Sequence, residues 1–276
     1  MRALIRSRVG PGVAEALPSG YQRLGDVLIL RLPEAVRPHH PEIGRAWQEV
    51  LGVRTVLVRT RGIVGDYRTP SVERIAGAST ETEVVEEGIR YRLDAARLMF
   101  SHGNRFERAR VGRAVRPGEV VIDLFGGIGY LALPALVLGG ASRAFIVEKN
   151  PVAFAYLVEN LALNRVSDRA VPILGDNREV VLPIGAADRV LLGYLPTSRS
   201  WLERGLGLLR PSGGVVHVHE VVGASEGPDR IESEVRSRAE GLGWTVRSAT
   251  ARAVKPYGPG RTHAVVDLSV GPQAPA

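Results

Sequence analysis

The second half of the chain alternates apolar segments of strand length with segments of helix length. From Gly118 onward, six apolar runs predict strands, at residues 120–124, 143–147, 170–174, 189–192, 214–218 and 262–270. Alternation of this kind is typical of βαβ units. It predicts an α/β domain built on a mostly parallel sheet.

The first part of the chain has a different pattern of apolar and polar residues. Apolar runs at 26–31 and 53–59 predict strands, and residues 41–51 predict a helix with Pro41 in its first turn. Residues 83–93 predict two short strands about Gly88, and a helix rich in arginine and glutamate follows at about 104–115. We therefore expect a small α+β domain over residues 1–80. The α/β domain, with its leading hairpin and helix, is expected over residues 81–276.

Composition narrows the class of protein. The chain has 276 residues and no cysteine, which excludes disulfides, cysteine nucleophiles and cysteine-ligated metal sites. No long apolar stretch follows the N-terminus, so no signal peptide is expected. The uncharged stretch 124–142 contains five glycines and Pro134, which disfavours a membrane span. We expect a cytoplasmic protein that does not contact a membrane.

The charge balance is basic. The formal net charge is +7, and Lys149 and Lys255 are the only lysines among many arginines. Such a balance suits a polyanionic partner such as a nucleic acid. Arginine richness is also typical of GC-rich or heat-adapted genomes, so the charge alone leaves both interpretations open.

A glycine-rich segment follows the first strand of the α/β domain. The strand ends at Asp123, and the loop carries Gly126, Gly127 and Gly129 before a helix begins. Glycine permits a positive φ and a close approach by a ligand, and the helix N-terminus offers free N–H groups. The dinucleotide fingerprint G-x-G-x-x-G is incomplete, because Ala132 takes the third glycine position.

Polar groups end three successive predicted strands. Asp123 would repel a pyrophosphate but can bind an ammonium, such as the one on S-adenosylmethionine. Glu148, 19 residues after Gly129, can accept bonds from two ribose hydroxyls. Asp176 and Asn177 follow the third strand, where the adenine edge would lie. The pattern predicts a Rossmann-like class I S-adenosylmethionine-binding domain, although Glu148 and Asp176 could instead be helix caps or solvated loop acids.

The fourth strand is followed by Gly193-Tyr-Leu-Pro196, and with it the chain resembles a known family. Residues 91–270 resemble the tRNA guanine-N1 methyltransferases and, more closely, the wybutosine-synthesising aminocarboxypropyltransferases. The methyltransferases carry Asn-Leu-Pro after this strand, whereas Gly193 supplies no amide. The other matching segments are Met99-Phe-Ser-His-Gly-Asn104, Glu107-Arg108, Glu148-Lys-Asn-Pro-Val-Ala-Phe154, Glu159-Asn160 with Asn164, and Lys255-Pro-Tyr-Gly-Pro-Gly260.

The resemblance implies an activity. The enzyme would transfer the 3-amino-3-carboxypropyl group of S-adenosylmethionine to a carbon of 4-demethylwyosine, beside the anticodon of tRNA-Phe, and would release methylthioadenosine. Gly193 and Pro196 are the candidates for the substrate loop, and the sequence identifies no general base. The small first domain is expected to lie near the RNA.

The resemblance also implies contacts of Ser101 and Arg108 with S-adenosylmethionine. An arginine can hold the carboxylate of the amino acid bidentately; the alternative for Arg108 is an exposed helix arginine. The expected cofactor-binding residues are Ser101, Arg108, Asp123, Phe125, Gly126, Gly127, Gly129, Glu148, Asp176 and Asn177.

Three other functions stay open. A tRNA guanine-N1 or wyosine-precursor methyltransferase would use the same cofactor. A nicotinamide-dependent dehydrogenase is disfavoured by Asp123 and by the missing third glycine. A non-catalytic RNA-binding module is disfavoured by the intact cofactor pattern.

Several other residues could have functional or structural roles, and the sequence pattern favours one role for each. His217 and His219 share one face of a predicted strand, but no third ligand is evident and no metal is expected. The tryptophans are expected to pack in the core, with base stacking as the alternative for Trp201 alone. The helix at 104–115 is expected to turn four arginines toward an RNA backbone, namely Arg105, Arg108, Arg110 and Arg113.

Overall fold

The computed structural model describes residues 7–9, 11–18, 20–223 and 225–273. The chain divides into two compact units, residues 1–100 and 101–276. The hairpin over residues 81–94 belongs to the first unit, whereas the expected boundary lies before it. The helix that follows the hairpin belongs to the second unit.

The first unit is a small α+β structure. Its helices are α1 (Pro11–Glu15) and α2 (His40–Leu51), with a 3-10 helix at Glu34–His39. Its strands are β1 (Gln22–Leu24), β2 (Val27–Leu30), β3 (Thr55–Arg59), β4 (Val72–Ala76), β5 (Glu81–Glu86) and β6 (Ile89–Asp94). The first four strands form one sheet, and β5 pairs with β6. The predicted strands at β2, β3, β5 and β6 are confirmed, and so is the helix α2.

Helix α2 shows why this unit folds locally as predicted. Proline stands in its first turn, and Gly52 ends it in the left-handed conformation at φ 60°. Ile43 and Trp47 are fully or almost fully buried in the cluster that also contains Leu28 and Val56. The amphipathic face of α2 therefore covers the small sheet.

The second unit contains a seven-stranded sheet in the order β12-β13-β11-β10-β7-β8-β9. The strands are β7 (Val120–Asp123), β8 (Arg143–Glu148), β9 (Ala170–Leu174), β10 (Arg189–Leu192), β11 (Gly214–Gly223), β12 (Trp244–Gly258) and β13 (Arg261–Gln273). The helices are α3 (Arg105–Ala114), α4 (Ala132–Val137), α5 (Pro151–Leu163), α6 (Leu202–Leu208) and α7 (Gly227–Gly241). Short 3-10 helices lie at His102–Asn104, Ser167–Arg169 and Arg199–Trp201.

The sheet is mostly parallel, as the sequence predicts. β9, β8, β7, β10 and β11 are parallel neighbours, and only β13 runs antiparallel, between β11 and β12. The chain winds outward from β7 in one direction and from β10 in the other. Ligands of open α/β sheets bind at such a switch point, outside the carboxyl ends of the strands. The end of β7 is therefore where a site is expected.

The edge strand β12 and the helix α7 were not predicted. β12 contains Arg247, Arg252, Lys255 and Pro256, and its pairing with β13 is interrupted by register shifts. Charged residues and proline are tolerated because β12 has only one neighbouring strand. Helix α7 is strongly polar and buries mainly one narrow stripe, which leaves a weak periodic signal.

A partly buried ion pair joins helix α3 to the sheet. Arg110 donates to both carboxylate oxygens of Glu107 at 2.6 and 2.8 Å, and to Asp267 of β13 at 2.6 and 3.0 Å. Burial disfavours the charge of Arg110, but the two carboxylates outweigh burial and raise its pKa. Helix α3 is thereby fixed on the sheet.

The same network continues across two more strands. His217 of β11 lies 2.6 Å from Asp267 through Nδ1 and 2.7 Å from Arg189 of β10 through Nε2. Arg189 also donates to Glu119 at 2.8 and 3.1 Å. Burial and the neighbouring arginines lower the pKa of His217, although Asp267 opposes them. The charged side chains at the centre of the sheet therefore bind one another, and these contacts stabilise the fold.

Within the described residues, none of the helices combines the length and the apolar character that crossing a bilayer requires.

Candidate active site

The glycine loop after β7 is packed too tightly for side chains. Gly127 and Gly129 have φ of 56° and 99°. A Cβ on Gly126 would lie 2.4 Å from Ile146 Cγ2, and a Cβ on Gly129 would lie 2.7 Å from the side chain of Leu133. The loop thus runs directly against β8 and the following helix at the switch point.

Asp123 ends β7 with a buried carboxylate that is only partly bonded. Its residue is 1% exposed, and Oδ1 accepts a bond from the Phe125 N–H at 3.0 Å. Oδ2 is buried and has no hydrogen-bond partner in the described chain. Burial raises the pKa of Asp123 to about 7, and the nearby Glu148 adds to the effect. An unpaired buried oxygen of this kind is costly unless a donor reaches it.

Glu148 holds the glycine loop in place. Its Oε2 accepts a bond from the Gly127 N–H at 2.6 Å, and its Oε1 accepts one from the Asn150 N–H at 2.6 Å. Burial raises the pKa of Glu148, and these backbone bonds oppose the rise. Each carboxylate oxygen can accept a second bond, so binding of ribose hydroxyls remains a prediction for this residue.

Asn177 and Asp176, which follow β9, differ in their bonding. Asn177 donates to the Leu124 carbonyl at 3.1 Å, and its own Oδ1 is buried without a partner from the described residues. Asp176 accepts bonds from the Arg178 guanidinium at 2.6 and 2.9 Å and from the Arg178 N–H. These bonds hold the pKa of Asp176 well below its usual range. Of the two residues, Asn177 is the one whose side-chain oxygen is buried without a hydrogen-bond partner among the described residues.

Arg108 is buried beside Ser101 at the start of α3. It is 4% exposed and donates to the Ser101 carbonyl at 3.0 Å. The alternative of an exposed helix arginine is therefore wrong. Lys255, at the carboxyl end of β12, donates to the Ser101 hydroxyl at 2.5 Å. The Lys255 segment is part of the family resemblance, but no sequence pattern marks the lysine itself as a site residue.

The expected RNA-facing stripe of α3 is wrong for two of its four arginines. Arg108 is buried and Arg110 is bound to Glu107 and Asp267, because these positions face the sheet. Arg105 and Arg113 are exposed.

The loop that contains Gly193 and Pro196 is bonded to β11. Ser198 is fully buried; its hydroxyl donates to the His219 carbonyl at 2.7 Å and accepts from the His219 N–H at 3.0 Å. The Val221 N–H donates to the Pro196 carbonyl at 2.8 Å. A Cβ on Gly193 would lie 3.0 Å from Leu131 Cδ1, so a larger residue would displace that side chain.

Removing the Ser198 hydroxyl tests this anchoring. We expect Ser198→Ala to lower the free energy of unfolding by about 1–3 kcal/mol, because the buried His219 N–H loses its acceptor. Urea unfolding measures the change. Ser200→Ala, at an exposed neighbouring position, is the control and should leave stability within about 0.5 kcal/mol of the parent. Equal stability of the two variants would contradict the anchoring role.

Three aromatic rings lie together beside the glycine loop. Phe125 stacks on Tyr194 with ring centroids 5.3 Å apart, and Trp201 meets both rings edge-on at 5.2 and 5.8 Å. Trp47 and Trp244 are buried, which confirms their expected packing role. Trp201 is partly buried and packs against the core. Tyr194 was missed because a single aromatic residue in a loop carries no pattern.

The histidines of β11 are used within the protein. His217 belongs to the buried ion network, and His219 lies 3.0 Å from His263 through Nδ1 and Nε2. Among residues 7–9, 11–18, 20–223 and 225–273, no group of three or more His, Asp or Glu side chains could hold a metal ion.

The predicted site residues that follow β7, β8 and β9 meet at the carboxyl edge of the sheet, where Glu148 bonds to Gly127 and Asn177 bonds to Leu124. A mostly parallel sheet, a glycine loop at its switch point and polar groups at the ends of β7, β8 and β9 define a Rossmann-like domain of the class that binds nucleoside ligands. Two of the buried acceptors without a partner among the described residues, Asp123 Oδ2 and Asn177 Oδ1, fit a ligand that brings an ammonium and N–H donors. S-adenosylmethionine has both.

Comparison with known families places the chain within this class. Residues 82–246 match the TRM5/TYW2 methyltransferase domain, and residues 1–80 match the TYW2 N-terminal domain. The protein therefore belongs to the TRM5/TYW2 family, which confirms the resemblance found in the sequence.

Individual relatives support the same assignment. The chain is 36% identical over 270 residues to the tRNA(Phe) (4-demethylwyosine(37)-C(7)) aminocarboxypropyltransferase of Pyrococcus horikoshii, covering 98% of this chain and 96% of that protein. It is 34% identical over 256 residues to the tRNA (guanine(37)-N(1))-methyltransferase Trm5b of Pyrococcus abyssi, covering 92% and 76%. The crystal structure of P. horikoshii TYW2 in complex with MeSAdo matches with a TM-score of 0.86 and 34% identity, covering 98% and 99%.

Proposed function

We propose that the protein transfers the 3-amino-3-carboxypropyl group of S-adenosylmethionine to 4-demethylwyosine in tRNA-Phe. The observation that carries the proposal is the match to the P. horikoshii aminocarboxypropyltransferase along almost the whole of both chains. The match of residues 1–80 to the TYW2 N-terminal domain supports the same choice within the family. The proposed partner is tRNA, which would place the activity in the cytoplasm.

The proposed chemistry depends on position. The sulfonium of bound S-adenosylmethionine activates three carbons, and the one held in line with the nucleophile reacts. In this reaction the ring carbon bonds to the aminocarboxypropyl carbon, the carbon–sulfur bond breaks toward sulfur, and the ring carbon loses its proton. The protein's contribution is therefore mainly to hold the amino acid arm toward the base.

Two buried groups are suited to hold that arm. Asp123 Oδ2, at the end of β7, would accept the ammonium. Arg108, buried beside Ser101, would bind the carboxylate. Asn177 Oδ1 would accept an N–H of adenine, and Glu148 would receive the ribose hydroxyls while it holds the loop.

The loop after β10 is suited to the tricyclic base. Gly193 supplies no amide that could hold the base edge of guanine. A side chain at this position would press against Leu131, whose Cδ1 would lie 3.0 Å from the Cβ. The neighbouring rings of Phe125, Tyr194 and Trp201 provide apolar faces on which a flat base can stack. The net charge of +7 suits a polyanionic substrate.

The alternative within the family is methyl transfer, which the 34% identity to Trm5b supports. Two parallel reactions on tRNA-Phe carrying 4-demethylwyosine separate the two activities. In one, S-adenosylmethionine is labelled in its carboxyl carbon; in the other, in its methyl carbon. We expect only the carboxyl label in tRNA. Transfer of only the methyl label would overturn the proposal.

The raised pKa of Asp123 predicts a pH dependence of binding. Below about pH 7 the carboxyl is protonated in the free protein, so it attracts an ammonium less strongly. We expect the affinity for S-adenosylmethionine to increase as the pH rises from 5.5 to 7.5. Calorimetric titrations across this range measure the effect, and Asp123→Asn should flatten the profile. An unchanged slope in that variant would assign the dependence to another group.

A further inference from the structure

Lys255 and Arg108 converge on one residue. Lys255 donates to the Ser101 hydroxyl at 2.5 Å, and Arg108 donates to the Ser101 carbonyl at 3.0 Å. The lysine comes from the end of β12 and the arginine from the first turn of α3, so two distant segments bring positive charge to the same point.

Gly103 allows the lysine to lie close to the backbone. A Cβ on Gly103 would lie 2.8 Å from Lys255 Cδ and 3.3 Å from its Nζ. The φ of Gly103 is outside the positive range that only glycine adopts easily. A Cβ at this position would therefore push against the flexible Lys255 side chain, without any backbone strain.

The charge of Lys255 is not balanced within the described chain. It is half-buried, and no described carboxylate lies within ion-pair distance of it. Burial and the nearby Arg108 both lower its pKa. Burial and Lys255 lower the pKa of His263 to about 4, which keeps this neighbouring imidazole neutral near pH 7. A half-buried ammonium beside a guanidinium favours a bound anion.

We propose that Lys255 is a second cationic ligand for a carboxylate bound between it and Arg108, and that this carboxylate is the one on S-adenosylmethionine. The identity of the ligand rests on the proposed function. Arg108 is 4% exposed, so the position suits a small anion better than a phosphodiester of a large RNA.

The residue type supports this role. Only two of the 36 basic residues of the chain are lysines, so arginine is the ordinary choice in this protein. A compact ammonium fits against Gly103, whereas a planar guanidinium needs more space.

The test compares three ligands in the absence of tRNA. S-adenosylmethionine has the carboxylate, decarboxylated S-adenosylmethionine lacks only that group, and methylthioadenosine lacks the whole arm. We expect Lys255→Met to weaken binding of the first by about tenfold, which corresponds to about 1.4 kcal/mol. Binding of methylthioadenosine should change less than about twofold, and the preference for the carboxylated ligand should fall by about tenfold.

Two further variants sharpen the test. Gly103→Ala should act in the same direction by a smaller factor, because its Cβ displaces the flexible end of Lys255. Arg261→Met removes an exposed charge at the start of β13 and should leave all three affinities unchanged.

Three results would overturn the inference. Lys255→Met could weaken binding of methylthioadenosine as much as binding of S-adenosylmethionine, which would indicate a general loss of the pocket. In a separate tRNA-binding assay it could weaken tRNA binding while all three ligand affinities stay unchanged, which would assign the lysine to a phosphodiester. In turnover assays with tRNA it could lower kcat with unchanged ligand affinities, which would indicate proton transfer. Because tRNA is absent from the titrations, their outcome is independent of whether methyl or aminocarboxypropyl is the group transferred.

Discussion

Asp123→Asn is expected to weaken binding of S-adenosylmethionine by a factor of about 10–100, because one charge-assisted hydrogen bond contributes about 1.5–3 kcal/mol. In the proposed binding mode the buried Oδ2 accepts the ammonium, and the isosteric amide removes its charge. Methylthioadenosine carries no ammonium, so its affinity should change less than about threefold. Isothermal titration of both ligands measures the difference.

A matched control distinguishes this effect from a general change of charge. Asp168→Asn removes an exposed carboxylate from the turn before β9 and should leave both affinities unchanged. If Asp123→Asn lowered the affinity for both ligands equally, the carboxylate would stabilise the fold of the loop rather than bind the ammonium.

The second large effect is expected at Asp267, the centre of the buried ion network. Asp267→Asn should lower the free energy of unfolding by about 1.5–3 kcal/mol, because His217 and Arg110 lose a charged hydrogen-bond partner, although Arg110 keeps its bonds to Glu107. Arg252, 3.1 Å away, loses the same partner. Denaturant unfolding at pH 7 measures the change.

A surface pair provides the control for this experiment. Glu240 lies 3.9 Å from Arg236 on α7 with both side chains exposed. Glu240→Gln should change stability by less than about 1 kcal/mol. If both variants lost the same small amount, the network would be no more than a set of surface ion pairs.

The network also has a predictable pH dependence. Burial opposes ionisation of Asp267, but His217 and Arg110 outweigh it and hold its pKa below the usual range. A depressed acid pKa contributes stability that is present above the unfolded value and is lost as the pH falls through the folded value. The parent should therefore lose stability in strong acid more steeply than Asp267→Asn.

The sequence predicted the parts of the site that are local. A strand, an acid and three glycines lie within ten residues, so Asp123 and the loop it precedes could be found without a structure. Glu148 and Asn177 followed from the same logic, since each ends the next strand of a parallel sheet.

The parts that depend on distant residues could not be predicted in this way. Lys255 meets Ser101 across 154 positions, and Arg110 meets Asp267 across 157. The charged residues of α3 were therefore assigned to the solvent face. The edge strand β12 was also missed, because its charged residues and its proline hide the alternation that defines a strand.

We propose that the aminocarboxypropyl group, and not the methyl group, reaches the base. Mass spectrometry of nucleosides from tRNA-Phe carrying 4-demethylwyosine, after incubation with the protein and S-adenosylmethionine, tests this proposal directly. We expect a nucleoside heavier by one aminocarboxypropyl group, together with released methylthioadenosine. A nucleoside heavier by one methyl group, together with S-adenosylhomocysteine, would contradict it and would make the Gly193 loop part of a methyltransferase.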